Sequence, residues 1–312
     1  MVKKRIKNVL LFLTFAALLF LELFWLSGIL QKKEAAGVQT KFAKFKRDSV
    51  DTVFIGNSHQ YCSIDPDLLR EEYGMETFML ATAAQTVPMS YYAAMEAVEF
   101  QHPSRIIFEV SYCANDFRTV TPEMSHYFFD GMPRCKARKL ALDDLIEEGR
   151  VYFELPLGTY HGRWKELSQA DFGNETVSDR GGVHYEEVVY NNEIPLVDLE
   201  ETLPMPEEME KYMDLLVEYC KSQEIELILY VAPFNTLYTG DDAMVEDLLR
   251  RERIFNYVGE YAMERDIEFH NLFYELDNIG LDGATDWMDR QHLNRNGQAK
   301  FTRYLADMGY VR

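Results

Sequence analysis

Two short segments near opposite ends of this 312-residue chain carry the side chains best suited to chemistry: Gly56-Asn57-Ser58-His59 and Asp289-Arg290-Gln291-His292. A serine hydroxyl is a poor nucleophile near neutral pH, so it needs a base within hydrogen-bond reach and a group that fixes the base's tautomer. His292 and Asp289 suit those two tasks. Three residues apart in a tight loop, their side chains can meet, with the carboxylate accepting from one ring nitrogen while the other faces Ser58. His59 is also an imidazole, but a side chain next to Ser58 in an extended loop points away from it, so His59 is assigned to shaping the pocket. No metal is expected, because Asp289 and His292 lack two further ligands at suitable spacing, and no cofactor motif is present.

The elements around these residues decide whether they can meet. Asp51 to Ile55 reads as a short buried strand, and Pro66-Asp67-Leu68-Leu69-Arg70 as a helix with proline in its first turn, which leaves Ser58 in a strand-to-helix loop. Further strands are expected at Thr77 to Leu80, Arg105 to Val110, Glu226 to Ala232 and Ile267 to His270. Helices are expected near Met89 to Phe100, Glu207 to Ser222, Ala243 to Glu264 and Arg295 to Met308. Alternation of this kind specifies an α/β domain with a parallel sheet. Open sheets of that class carry reactive groups on the loops at the carboxyl ends of their strands. Pro233-Phe234-Asn235, just after a strand, is expected to face the site.

The Gly56-Asn57-Ser58 segment resembles the nucleophile block of the SGNH/GDSL hydrolase superfamily, and Asp289-x-x-His292-Leu293-Asn294-x-x-Gly297 resembles its C-terminal Asp-x-x-His block, in the same order and separation. The resemblance implies a flavodoxin-like three-layer α/β/α domain over residues 50–312, with Ser58, His292 and Asp289 as a catalytic triad. The chain departs from the pattern in three places. Asn57 stands where the family usually has Asp. Ala81-Thr82-Ala83-Ala84-Gln85 stands where a glycine usually gives an oxyanion-binding N–H, so an alanine N–H, from Ala81 to Ala84, has to serve; the donor is backbone and only its conformation is restricted. Asn115, the counterpart of the family's oxyanion-binding Asn, lacks the usual glycine two positions earlier.

The N-terminus bears on location. Lys3, Lys4, Arg5 and Lys7 precede Val9 to Leu30, an apolar run of about 22 residues, long enough to cross a bilayer at about 1.5 Å per residue. The run exceeds a signal-peptide core and no small-x-small cleavage site follows, so an uncleaved single-pass signal anchor is expected. Residues 1–8 then form a cytoplasmic tail, 31–49 a basic stalk and 50–312 an extracytoplasmic domain on a bacterial cell membrane. Lys32, Lys33, Lys41, Lys44, Lys46 and Arg47 oppose a simple positive-inside count, and the orientation rests on translocation of the large domain. Glu22 inside the run either reaches the outer headgroups or meets a partner's transmembrane helix.

With 32 basic and 52 acidic residues the net charge is −20, which excludes nucleic acid as a partner, since phosphate binding needs a basic footprint. Cys62, Cys113, Cys135 and Cys220 show no metal-ligand or Cys-x-x-Cys spacing; outside the cell they form one or two disulfides or stay as buried thiols. Residues 116–204 read as an insertion with weak periodicity. Within it, Tyr160-His161-Gly162-Arg163-Trp164 gathers rings and cations: His161 and Arg163 either serve a substrate lid, stacking on sugar or holding acyl oxygens, or belong to a loop packed about Trp164.

The expected chemistry is acyl transfer through an acyl-serine: hydrolysis when water is the acceptor, O-acyl transfer when a sugar hydroxyl is. Membrane-anchored members of the resembled superfamily act on cell-surface polysaccharides and cell-wall polymers, often beside a polytopic membrane acyltransferase, and such a polymer and partner are expected here. The competing reading is a non-catalytic module that keeps the fold for assembly with such an acyltransferase.

Overall fold

Five short runs rich in β-branched and aromatic residues form one wholly parallel sheet in the computed structural model: β1 Thr52–Gly56, β2 Thr77–Ala81, β3 Arg105–Glu109, β4 Glu226–Val231 and β5 Glu268–Asn271, in the order β2-β1-β3-β4-β5. The structure describes residues 2–31, 42–116, 118, 120–155, 157–172, 178–188, 200–235 and 242–311; Lys32, Lys33 and Lys41 of the basic stalk lie outside them.

Period-two alternation sorts the strand residues onto two faces. Val53, Ile55, Phe78, Leu80, Ile106, Phe108, Leu229 and Val231 share one apolar core, whereas Phe54, Met79, Ile107, Ile228 and Tyr230 share the other. Burial on both faces explains why the runs read as continuously apolar. The first face is covered by α4 Val87–Phe100, α9 Glu207–Ser222 and α10 Asp242–Glu264, and the second by α3 Pro66–Tyr73 and α12 Arg295–Met308. The result is the expected three-layer α/β/α domain.

Two helical stretches extend the sequence reading. Ser58 does not lie in an open loop: it begins a short helix, α2 Ser58–Ser63, because the Asn57 side chain caps it. Within residues 116–204, α5 Pro122–Phe129 and α6 Lys136–Leu145 contribute Phe128, Phe129, Ala141 and Leu142 to the first core. They are followed by α7 Arg150–Glu154 and α8 Leu157–Tyr160. Residues 178–188 run past the β2 edge, where the Met79 N–H donates to the Arg180 carbonyl (2.9 Å) and an Arg180 guanidinium N–H donates to the Thr77 carbonyl (2.9 Å). The strap covers a strand edge that would otherwise invite pairing with another chain. The last short helix is α11 Leu276–Ile279, and the first element, α1 Val2–Leu30, contains the apolar span Lys4–Leu30.

Candidate active site

The strand order places the switch point of the sheet between β1 and β3, where ligands bind outside the carboxyl ends of strands in open α/β folds. Ser58 follows β1 there. Gly56, at φ 146°, makes the turn; a Cβ on it would lie 3.0 Å from Gln60 Cβ and 3.3 Å from Glu109 Cβ, so both conformation and space call for glycine. Asn57 then caps α2: its Oδ1 accepts from the His59 N–H at 2.8 Å and its carbonyl from the Gln60 N–H at 3.1 Å. As the first helical residue, Ser58 has one of the backbone N–H groups that find no partner within the helix, and that N–H makes no hydrogen bond among the described residues.

Asp289 and His292 come from a tight reversal before α12. Trp287 pairs antiparallel with Leu293, the Met288 N–H donates to the His292 carbonyl (2.9 Å), and Asp289 Oδ1 accepts the N–H groups of Gln291 and His292, both at 2.8 Å. Asn294 caps α12 through the N–H groups of Asn296 and Gly297. Gly297 lets that helix close on the turn, since a Cβ there would meet the Asp286 carbonyl oxygen at 2.3 Å.

This scaffold joins the three side chains across 234 residues of chain. His292 Nδ1 lies 2.8 Å from Asp289 Oδ2, and His292 Nε2 lies 2.7 Å from Ser58 Oγ. With the carboxylate fixing the tautomer, Nδ1–H donates to Asp289 and Nε2 accepts from the Ser58 hydroxyl. Burial raises the Asp289 carboxyl, but the hydrogen bond and charge of His292 and two backbone N–H donors outweigh it and hold the group below the ordinary carboxylate range.

Ala81 ends β2 in register with Gly56, so the turn after it stands beside the end of β1. Ala84 in that turn has φ 55°, a left-handed conformation at which glycine is the usual residue, and its N–H makes no hydrogen bond among the described residues. Asn115 follows the 3-10 turn Ser111–Ala114; its Oδ1 accepts from Arg251 (3.2 Å), leaving its amide donors without a partner among the described residues.

His59 is buried beside the His292 ring. It is 4% exposed, stacks on Phe234 at 4.6 Å between centroids and stands 5.0 Å from the His292 ring. Burial, then the charges of His292 and Arg251, push its pKa well below the ordinary imidazole range against a smaller opposing pull from Asp289. It is therefore neutral at pH 7. Asn235, beside Phe234, donates its N–H to the Arg290 carbonyl at 3.3 Å, so the segment after β4 does reach the Asp–His loop. His161 and Arg163 are not brought to the triad. His161 is exposed and bonds the Gly158 carbonyl, while Arg163 pairs with Asp171 (2.6 Å) and donates to the Leu30 carbonyl at the end of α1.

Two supporting residues escaped sequence reasoning. Glu109, at the end of β3 and fully buried, accepts from the Ser111 N–H (3.2 Å) and hydroxyl (2.7 Å), the Ala232 N–H (3.3 Å) and, more distantly, the Asn57 amide (3.5 Å). Asn57 also donates to Ser111 Oγ at 3.2 Å. A carboxylate thus stands behind Asn57 as its hydrogen-bond partner. Burial pushes Glu109 up to about 7, with those four donors acting against it. The available signal was an acid closing an apolar strand, Ile106-Ile107-Phe108-Glu109. Arg251, on α10, brings positive charge beside His59 and Asn115 while paired with Asp247 at 2.7 Å; its signal was the run Arg250-Arg251-Glu252-Arg253 in an acidic domain.

Among the described residues one set of candidate metal ligands, Asp65, Asp67 and His184, has ligand atoms within 4.8 Å of one another. Asp65 is engaged as the cap of α3 and His184 with Gln298, and none of the three belongs to the triad. All four cysteines are free thiols; burial raises Cys62, with a further push from the Asp289 charge, and raises Cys220 to about 12. These thiols are therefore protonated and unreactive at pH 7.

No family model matches the chain, and no curated protein matches it. Among solved structures it is similar to a protein of Bacteroides fragilis NCTC 9343 provisionally named an acylhydrolase, at 12% identity over 87% of this chain and 94% of that one, with a TM-score of 0.42. It is also similar to a protein of Desulfitobacterium hafniense DCB-2 provisionally named a lipolytic protein of the G-D-S-L family, at 15% identity over 82% and 97% of the two chains, with a TM-score of 0.39. The likeness to the SGNH/GDSL hydrolases is carried by the chain's own geometry: a serine after β1, an Asp-x-x-His turn before the last helix, and a parallel sheet that brings them to 2.7 Å.

Proposed function

We propose that this protein is a serine-dependent acyl-transfer enzyme that hydrolyses an ester, or passes its acyl group to a sugar hydroxyl, on a cell-surface polysaccharide or cell-wall polymer. The observation that carries the reading is the unbroken hydrogen-bonded series from Ser58 Oγ through His292 to Asp289. A series kept only for structure has no need of the Ser58 and Ala84 N–H groups beside it, which make no hydrogen bond among the described residues.

Ser58 Oγ attacks the ester carbonyl as its proton passes to His292 Nε2. Asp289, held ionised, steadies the imidazolium. The tetrahedral oxyanion is met by the Ser58 N–H, the Ala84 N–H and the Asn115 amide, each such donor worth about 3 kcal/mol of barrier in a site shielded from water. His292 then protonates the leaving alkoxide, leaving an acyl-serine. Water or an acceptor hydroxyl, deprotonated by His292, attacks that ester and restores Ser58.

The N-terminal helix supports a site of action at the outer face of a bacterial membrane, where a polytopic acyltransferase would supply acyl groups and the polymer would receive or lose them. Labelling of the full chain by a serine-directed fluorophosphonate, with acetate release from short acyl esters, tests the proposal against Ser58→Ala. Labelling and release that both vanish in the variant are expected. A well-folded protein that neither labels nor turns over, alone or with its membrane partner, would instead be an assembly module.

A further inference from the structure

The end of the apolar helix is part of the domain. From Lys4 to Trp25 the side chains of α1 are exposed except for the partly covered Ala16, whereas Leu26 to Ile29 are partly covered and Leu30 is buried. That last turn packs against three short elements: α8, the 3-10 turn His161–Lys165 and the 3-10 turn Gln169–Phe172. Two polar contacts lock it. Arg163, itself held by Asp171, donates to the Leu30 carbonyl, one of the orphan acceptors of the helix end, and the Gln31 amide donates to the Asp130 carbonyl at 2.7 Å. A helix gripped in this way is a retained element, since cutting it off would leave the Arg163 and Asp130 groups without their partners.

Length then fixes where the membrane stops. From Lys4 to Trp25 the exposed part of the helix extends about 33 Å at 1.5 Å per residue, against roughly 30 Å for a bilayer's hydrocarbon. The domain clasps the turn just beyond. Whatever surrounds that turn must therefore lie at the headgroups of the same leaflet.

The surface there has the composition such a position calls for. Ten large apolar side chains outside α1 are exposed among the described residues, and five of them fall within residues 151–172: Val151, Tyr152, Leu155, Trp164 and Phe172. Trp164 and Phe172 are 64% and 65% exposed. All the aromatic members of the ten belong to this group. Lys165 holds its ammonium 5.4 Å from the centroid of the Trp164 ring, a pairing that lets the indole sit in the interface while the charge reaches phosphate. In aqueous solution such a patch is a liability, and it is explained by a partner that covers it.

We propose that residues 150–155 and 157–172 form a membrane-seated foot, whose apolar side chains enter the headgroup and upper acyl region of the leaflet from which α1 emerges. The anchor and the foot together give the domain two attachments, which fixes its tilt over the bilayer where a flexible tether would leave it free. The inference rests on α1 spanning a bilayer and is independent of the acyl chemistry.

Fluorescence of the full chain in lipid nanodiscs tests it. In a Trp25→Phe variant the remaining tryptophans are Trp164 and Trp287, and Trp287 is fully buried in the domain core. Brominated lipids should quench the Trp164 emission, more strongly with bromine near the glycerol end of the acyl chain than near its terminal methyl, and further Trp164→Phe substitution should remove the quenched component. A tryptophan placed on α7 by Tyr152→Trp in the Trp25→Phe/Trp164→Phe background should be quenched as well. Emission from both reporters that is the same in brominated and ordinary lipid would overturn the proposal and leave this face to a second copy of the chain or to another protein.

Discussion

The molecule holds the same three functional groups, a hydroxyl, an imidazole and a carboxylate, in two places. At the carboxyl end of the sheet, Ser58 Oγ, His292 and Asp289 are linked at 2.7 and 2.8 Å. Beside the end of α1, Thr159 Oγ1 lies 3.2 Å from His126 Nε2, and His126 Nδ1 lies 2.8 Å from Asp130 Oδ1. The surroundings differ. Ser58 begins a helix after the turn at Gly56, with N–H groups on itself and on Ala84 that make no hydrogen bond among the described residues, and the side chains of His292 and Asp289 are 12% and 42% exposed. His126 and Asp130 have side chains 4% and 1% exposed, the His126 ring stacks on Phe153 at 4.3 Å, and the Asp130 carbonyl holds Gln31. A hydrogen-bonded series becomes a nucleophile only where the imidazole can gain and lose a proton and where donors await the oxyanion. Elsewhere the same series ties one helix to the next.

The largest expected effects come from breaking the first series. Ser58→Ala and His292→Ala should each lower acyl turnover on the order of 10^4-fold or more without loss of fold, because triad members act as a unit. Asp289→Asn, which spoils the tautomer while keeping the shape, should cost on the order of 10^2- to 10^4-fold in kcat. Steady-state assays on short acyl esters with circular dichroism as the fold control measure both. Turnover at wild-type level in the Ser58 variant would end the distinction between the two series.

Much of this was legible in the sequence because the signals are local. The apolar runs gave all five strands to within a residue or two, and the helices Glu207–Ser222 and Arg295–Met308 matched at both ends. The helix at Ser58 was not legible, since it exists through one side-chain cap, Asn57 onto His59. Glu109 was hidden for a different reason: its partners Asn57, Ser111 and Ala232 are joined only when three strands align, and nothing in a strand's own pattern marks a buried acid as satisfied. Nor could spacing tell whether Arg163 faced a substrate or Leu30, residues 133 apart in the chain.

An intermediate effect should come from the acid behind the nucleophile turn. Glu109 has a folded pKa raised by burial from 4.5 to about 7. Below the unfolded value the carboxyl is protonated in both states, and its contribution to stability is whole. As pH rises towards 7 the unfolded chain releases its proton and the folded chain retains it, so stability falls, by up to about 3 kcal/mol once Glu109 ionises in the fold. Glu109→Gln should flatten this slope: its oxygen can accept from Ser111 and Ala232 while its amide donates to the Ser111 hydroxyl. Thermal unfolding of both proteins at about pH 5 and about pH 8 reads the difference. Parallel pH dependence in the two would show that Glu109 is ionised across the range.

The second series should answer in stability and not in rate. His126→Ala removes a stacked ring and one of the hydrogen-bond partners of the Asp130 carboxylate, leaving it the Tyr160 hydroxyl, a loss of about 2–4 kcal/mol from the cavity and the lost buried hydrogen bond, with fluorophosphonate labelling per folded molecule unchanged.

The smallest effect tests the comparison most sharply. Thr159 is the hydroxyl of the second series, exposed and hydrogen-bonded to an imidazole that is itself hydrogen-bonded to a carboxylate. If geometry of that kind were sufficient for nucleophilic chemistry, Thr159→Val, which keeps the branched shape and deletes the hydroxyl, would remove a second labelled site. The environment predicts otherwise: the His126 ring is buried beneath Phe153 and Tyr160, closed to a substrate and its leaving group. Thr159→Val should leave labelling stoichiometry and turnover as they are and shift stability by no more than about 1 kcal/mol, the net worth of one partly buried hydrogen bond. Labelling that persisted in Ser58→Ala and disappeared only in the double variant would place a second nucleophile beside the end of α1.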